Sequence, residues 1–190
     1  MIVLLNGPPG SGKDTLADIL VKRNWLFQKR RFKDALVDIA AAVYRVTPAF
    51  INEKLEDRIW KETPTEIFDG LSLRQALIKV SEDMIKPMYG NDYFGVSCAK
   101  TMNPQGNYVI SDAGFESEAN VLIDKFGKDD VVLIQLSREG HDFSNDSRSY
   151  LNNLPVETFR IGNHDSIEIF FEKFNILINN LINSRMDKIS

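Results

Sequence analysis

The stretch MIVLLNGPPGSGKDTLADIL, residues 1–20, decides the fold. Ile2-Val3-Leu4-Leu5 is an unbroken apolar run, the pattern of a strand buried on both faces in a parallel sheet. Leu16, Ile19 and Leu20 fall on one side of a helix. Between the two lies Gly7-Pro8-Pro9-Gly10-Ser11-Gly12-Lys13, a glycine-rich turn that ends in a lysine. In a strand–turn–helix setting such a turn aims converging backbone N–H groups at phosphate oxygens, and the helix N-terminus adds positive potential. Gly7, Pro8, Pro9, Gly10, Ser11, Gly12 and Lys13 are therefore the expected contacts of a nucleotide's phosphates. Lys13 is also the expected catalytic cation, with its side chain exposed for that task.

The position after such a lysine usually carries the hydroxyl that touches Mg²⁺. Here it is Asp14, and the hydroxyl moves to Thr15. Adenylate-kinase-like enzymes also displace that hydroxyl, reading Gly-Lys-Gly-Thr. An acid in the first helical turn is favoured by the helix dipole, and it can accept bonds from free N–H groups or metal-bound water. The departure points away from GTPase switches and motor ATPases and toward small-molecule kinases. Asp14 and Thr15 join the expected nucleotide site, with Thr15 as a metal ligand.

The rest of the composition sets bounds. A chain of 190 residues that is 43% hydrophobic is long enough for one well-cored domain. A net charge of −4 offers no general basic field for a long nucleic acid, whereas a small anion needs only a local positive site. The single cysteine, Cys98, excludes an intramolecular disulfide and any multi-cysteine zinc cluster. The first apolar run is too short for a signal or membrane segment, so the expected location is cytoplasmic. Small-molecule nucleotides are the expected partners, long nucleic acid and membrane are not, and a homodimer is compatible with the chain.

Apolar runs of strand length alternate with helix-period stretches along the sequence, the signature of an α/β doubly wound sheet. Expected strands are Ile2–Leu5, Trp25–Phe27, Tyr108–Ser111, Val131–Leu136 and Val156–Ile161. Helices are expected over 34–46, after Thr47-Pro48 with Phe50, Ile51, Leu55 and Ile59, and from Ser72 until Pro87 ends it. A further helix spans Glu116–Phe126. The last one opens at Asp165 as N-cap and runs to Leu181, with Ile169, Phe170, Phe174, Leu177, Ile178 and Leu181 as core.

Other residues carry chemistry by position. Asp112 ends an apolar strand, where a carboxylate can hold Mg²⁺ directly or through water. Glu118 lies in the next helix and faces either an acceptor pocket or solvent. Arg74 sits in the first turn of a helix, where a cation is disfavoured unless an anion answers it; an acceptor phosphate or a surface acid would each do so. Residues 137–154, SREGHDFSNDSRSYLNNL, form a long polar stretch of the kind used as a lid. Its Arg138 and Arg148 can offset the charge of a transferring phosphoryl group. Tyr93, Phe94 and Trp60 either stack on a base or belong to a core.

Gly12-Lys13-Asp14-Thr15, Phe32-Lys33-Asp34-Ala35-Leu36, Ser72-Leu73-Arg74-Gln75-Ala76-Leu77, Asn91-Asp92-Tyr93-Phe94, Ser111-Asp112 with Glu118, and Arg138-Glu139-Gly140 leading to Ser144-Asn145-Asp146 occur in order. In these blocks, from residue 1 to about 180, the chain resembles the T-even phage deoxynucleoside monophosphate kinases. It departs from them at Ala113-Gly114-Phe115, where those enzymes carry an Arg, and in a shorter stretch between the second and third strands.

The resemblance implies a three-layer P-loop NTPase fold with a five-stranded parallel sheet in the order 2-3-1-4-5. Within one domain of 190 residues it implies a helical acceptor-binding insertion over 33–105 and a lid over 138–154. It implies ATP-dependent phosphoryl transfer to a (deoxy)nucleoside monophosphate, with Mg²⁺. It places Lys33, Arg74, Asp112 and Glu118 toward the acceptor, and Asn163 where the chain wraps the adenine. Two other readings fit the same loop. One is a P-loop kinase of another small phosphorylated metabolite, and the other is a non-catalytic nucleotide-binding module.

Overall fold

A computed structural model of the chain describes residues 1–144 and 146–186. The chain divides into two compact units, one of residues 1–30 with 103–190 and one of residues 31–102. Asn145, in the last of the resembling blocks, lies outside the described residues.

The first unit is built on an all-parallel sheet of β1 (Ile2–Asn6), β2 (Phe27–Arg30), β3 (Asn107–Ile110), β4 (Val131–Ser137) and β5 (Glu157–Gly162), in the order β2-β3-β1-β4-β5. β1 lies at the centre, with Val3 opposite Val109 of β3 and Val132 of β4. Its residues alternate between two buried faces, which explains the unbroken apolar run. Val3 and Leu5 join Val109, Ile134 and Leu136 in a core closed by α1 (Lys13–Arg23) and α8 (Ile167–Met186), through Leu16, Leu20, Phe170, Phe174 and Ile178. Ile2 and Leu4 are equally buried on the other face, and α7 (Glu116–Phe126) lies against β4. This is the doubly wound P-loop kinase-like architecture expected from the sequence. Because α1 leads leftward from β1 to β2 and α7 rightward from β3 to β4, the connections part at the carboxyl ends of β1 and β3, where such sheets bind ligands.

The second unit is helical: α2 (Lys33–Val43), α3 (Pro48–Glu56), α4 (Leu73–Ile78), α5 (Lys86–Tyr89) and α6 (Tyr93–Lys100). α2 packs on α3, α4 and α6. Thr47 caps α3 by accepting from the Phe50 N–H, and Ser72 and Gln75 close a reciprocal capping box at α4. Edge-to-face rings run from Phe50 through Trp60 and Phe68 to Tyr44. Trp60 therefore sits in an aromatic chain, and Phe94 is buried core.

Several boundaries differ from the sequence reading. The second strand is Phe27–Arg30 rather than Trp25–Phe27; Trp25 is 86% exposed and belongs to the preceding turn. Pro87 does not end the α4 helix. The chain widens to π geometry over Lys79–Ile85, and the Lys86 N–H bonds back to the Ser81 carbonyl five residues earlier. That extra residue per turn makes room for a ring that would otherwise strike the carbonyl four residues before it. Ile59 lies beyond α3 and is exposed. Ser166, not Asp165, caps α8, since its Oγ accepts from the Ile169 N–H while Asp165 pairs with Lys173 at 2.5 Å. Ile169 consequently faces outward, and the helix runs on past Leu181 to Met186.

Candidate active site

The glycine-rich turn follows β1 and wraps onto the start of α1. Gly12 is the N-cap of α1 with φ +100°, and a Cβ there would stand 2.9 Å from the Phe170 ring and 3.0 Å from Asn163 Nδ2. Both the backbone angle and this close approach require glycine. Asn163 Nδ2 donates to the Ser11 carbonyl at 3.1 Å, so the residue after β5 is fastened to the loop itself.

Lys13 is not exposed. It is 8% accessible, and its ammonium donates to the carbonyls of Gly7 at 2.6 Å and Pro8 at 2.9 Å. The reason is local geometry, because a stem at the first position of α1 can fold back into the loop that precedes it. Burial lowers its pKa from 10.5 to about 8, helped by the positive charge of Arg148 and opposed by Asp14, Asp146 and Asp112.

A cleft of about 420 Å³ opens beside this loop, lined by Gly10, Gly12, Lys13, Asp14, Thr15 and Arg138 and by Asn163, Asp165, Ile167 and Phe170 on the other side. Arg138, at the start of the segment after β4, donates to the Gly10 carbonyl at 3.0 Å. Seven of the expected site residues (Gly10, Gly12, Lys13, Asp14, Thr15, Arg138 and Asn163) thus share one cleft. Asp14 has a further engagement. Its carboxylate accepts from the Ser111 hydroxyl at 2.7 Å and pairs with Lys29 at 2.9 Å.

Arg148 and Asp112 also stand within electrostatic reach of Lys13. The Arg148 guanidinium is gripped by both oxygens of Asp146, at 2.7 and 2.5 Å. Glu118 is buried, not solvent-facing, and its charge together with that of Asp112 acts on Arg148. Among the described residues no cluster of three or more His, Cys, Asp and Glu side chains stands ready to hold a metal. Of the two residues expected to hold a metal, Thr15 lines the cleft and Asp112 lies within electrostatic reach of Lys13.

The segment expected as a lid is fastened in its second half. The Asn6 side chain, fully buried at the end of β1, donates to the carbonyls of Ala113 and Ser149 and accepts from the Leu151 N–H. Gln135 donates to the Leu151 carbonyl, Tyr150 to that of Leu136, and Leu151 is buried. In the last third of 137–154 Leu151 is the buried apolar side chain, and the rest of the hold comes from these hydrogen bonds. Asn6 and Gln135 were passed over in the sequence, and Asp146 was named only within the last resembling block, with no role. The signal for Asn6 was there: a polar residue closes an otherwise apolar strand directly before the glycine loop.

In the helical unit, Arg74 pairs with Glu62 at 2.7 Å. Lys61 has its pKa lowered by burial and then by the charges of Arg74, Arg58 and Lys33, against the pull of Glu62. Lys33 and Arg74 therefore both act on Lys61, and Arg74 pairs with Glu62.

No protein-family model matches the chain, and no curated protein matches it. Among solved structures, a sugar kinase from Janibacter sp. HTCC2649 is similar over 94% of this chain and 94% of that one, with 14% identity and a TM-score of 0.44. No helix among the described residues is long and apolar enough to cross a membrane.

Proposed function

We propose that the chain transfers a phosphoryl group from ATP to a (deoxy)nucleoside monophosphate, giving the diphosphate. The observation that carries this reading is the Lys13 ammonium folded into the glycine loop at the switch point of the sheet, with Arg138 on the same loop and Arg148 within reach. Phosphoryl transfer asks the protein mainly to position two phosphates and to answer the negative charge between them, which loop N–H groups and three cations can do. Lys13 exchanges its carbonyl partners for β- and γ-phosphate oxygens. Thr15 and Asp112 would hold Mg²⁺, which, when bound, neutralises charge on those oxygens.

The cations of the helical unit, Lys33, Arg58, Lys61 and Arg74, support an anionic acceptor. A nucleoside monophosphate suits them, and its phosphate oxygen is already ionised, so no general base is required. Asn163, bonded to Ser11 and facing the cleft, stands on the ATP side. A coupled ADP-release assay against a panel of ribo- and deoxynucleoside monophosphates tests the reading. Release that depends on one or more of them supports it. Release only with other phosphorylated metabolites moves the acceptor class, and nucleotide binding without release leaves a non-catalytic module.

A further inference from the structure

Arg148 is held in a way that the chemistry of a lid arginine does not need. Its aliphatic stem lies over Gly114, where a Cβ would overlap the Arg148 Cγ and Cδ. Its guanidinium meets the Asp146 carboxylate in the two-pronged geometry that fixes both orientation and distance, and that carboxylate is only 5% exposed. The Arg148 N–H also donates to the same carboxylate at 3.0 Å, so Asp146 organises the local backbone as well. The chain that follows is tied through Ser149 and Leu151 to Asn6, the residue immediately before Gly7. Backbone and side chain are therefore both referenced to the glycine loop, and Arg148 is a fixed cation, not one delivered by closure.

A buried carboxylate is costly to desolvate unless well paired, so its presence beside a functional cation calls for a reason. We propose that Asp146 is a positioning residue that holds the Arg148 guanidinium at the phosphate end of the site, ready for the charge that develops during transfer. This rests on the phosphoryl-transfer reading above. Asp146 touches neither the nucleotide nor the reacting atoms in this scheme; it acts through Arg148. A preformed cation helps most where charge changes on the way to the transition state, so its loss falls on kcat more than on KM.

The test combines Asp146→Asn, Arg148→Ala and the double variant, each checked by thermal melt. Asp146→Asn should lower kcat by about ten- to a hundred-fold, the range for a lost charge-assisted hydrogen bond, with both KM values changed less than about three-fold. The double variant should be no slower than Arg148→Ala alone, because the two residues act as one unit. Added guanidinium should restore turnover to Arg148→Ala and fail to restore it to the double variant, a distinction that a merely structural Asp146 would not produce. Additive losses, equal rescue of both, or a kcat for Asp146→Asn within two-fold of wild type would overturn the proposal. Should Asp146→Asn not fold, Gly114→Ala displaces the same guanidinium from the other side and should show the same fall in kcat. If the wild-type protein turns over no acceptor, the functional reading falls. The pairing is then decided on the free protein by the Arg148 Nε–H signal in NMR, which should be sharp and slow to exchange in wild type. A signal unchanged in Asp146→Asn would overturn the positioning role.

Discussion

The Ser111 hydroxyl donates to the Asp14 carboxylate at 2.7 Å, and so joins the end of β3 to the first turn of α1. Lys29, from the neighbouring β2, completes the tie at 2.9 Å and also reaches Asp18 one helical turn on. The acid that follows Lys13 thus fastens the N-terminal end of α1 to two adjacent strands. Thr15, next to it, remains on the cleft.

That tie predicts the order of two substitutions. Asp14→Ala loses both partners, while Asp14→Asn keeps an acceptor for Ser111 and loses only the Lys29 charge pair. Asp14 is largely exposed, so the pair itself is screened and contributes little. Asp14→Ala should cost about 1 kcal/mol, or roughly 2–4 °C in Tm for a chain of this size, and Asp14→Asn about half as much. Thermal melts decide it; equal melts for all three proteins would mean that the tie contributes nothing.

Lys13 predicts a pH dependence. Its folded pKa, about 8, lies below the ordinary 10.5 because burial and Arg148 disfavour its charge. Between those two values the unfolded chain holds a proton that the folded one has released, so stability rises with pH across the window and is lost again as pH falls through about 8. The upper bound is roughly 3.5 kcal/mol, from about 1.4 kcal/mol per pH unit over the window between about 8 and 10.5. Denaturant unfolding of wild type and Lys13→Met at pH 7.5, 9 and 10.5 isolates the effect. Wild type should gain on the variant as pH rises, and parallel curves would place the Lys13 pKa at its ordinary value.

Arg74 predicts a split between substrates. Arg74→Ala should raise the KM of the acceptor by about ten- to a hundred-fold and that of ATP far less, since a charged hydrogen bond to one substrate is removed. Glu62→Gln, which releases Arg74 from its ion pair, should leave the acceptor KM unchanged or lower it. Steady-state kinetics with each substrate varied in turn checks both. Equal changes for ATP and acceptor would take Arg74 out of the acceptor site.

The sheet was legible because its central strands are mostly apolar, with polar residues such as Asn6 and Gln135 toward their carboxyl ends, and the glycine-rich loop because glycine, lysine and strand–helix context coincide. Strand β2 was misplaced by two residues at its start and three at its end. Trp25 and Leu26 looked like strand material, but they lie in the exposed turn, and the paired residues are the polar Gln28, Lys29 and Arg30 at the sheet edge. An edge strand needs few apolar side chains, so periodicity is silent there. The stretch after β4 read as a polar lid because its buried contacts are polar: Asn6 and Gln135 hold it through amide groups that hydrophobicity does not count. The pairing of Asp146 with Arg148 was not legible, since nothing in SNDSR distinguishes a pinned carboxylate from a solvated one. Pro87 misled because the widened turn before it has no sequence signature of its own.

The most direct measurement follows the phosphorus itself. The protein is incubated with ATP labelled at the γ-phosphate, Mg²⁺ and each of the deoxynucleoside and nucleoside monophosphates, and the products are separated by chromatography. The expected result is label in a nucleoside diphosphate for at least one acceptor. Transfer should be abolished in Lys13→Met and reduced by about ten-fold or more in Arg148→Ala. Label that stays in ATP or passes only to inorganic phosphate with every acceptor, or transfer undiminished in Lys13→Met, would contradict phosphoryl transfer at this loop.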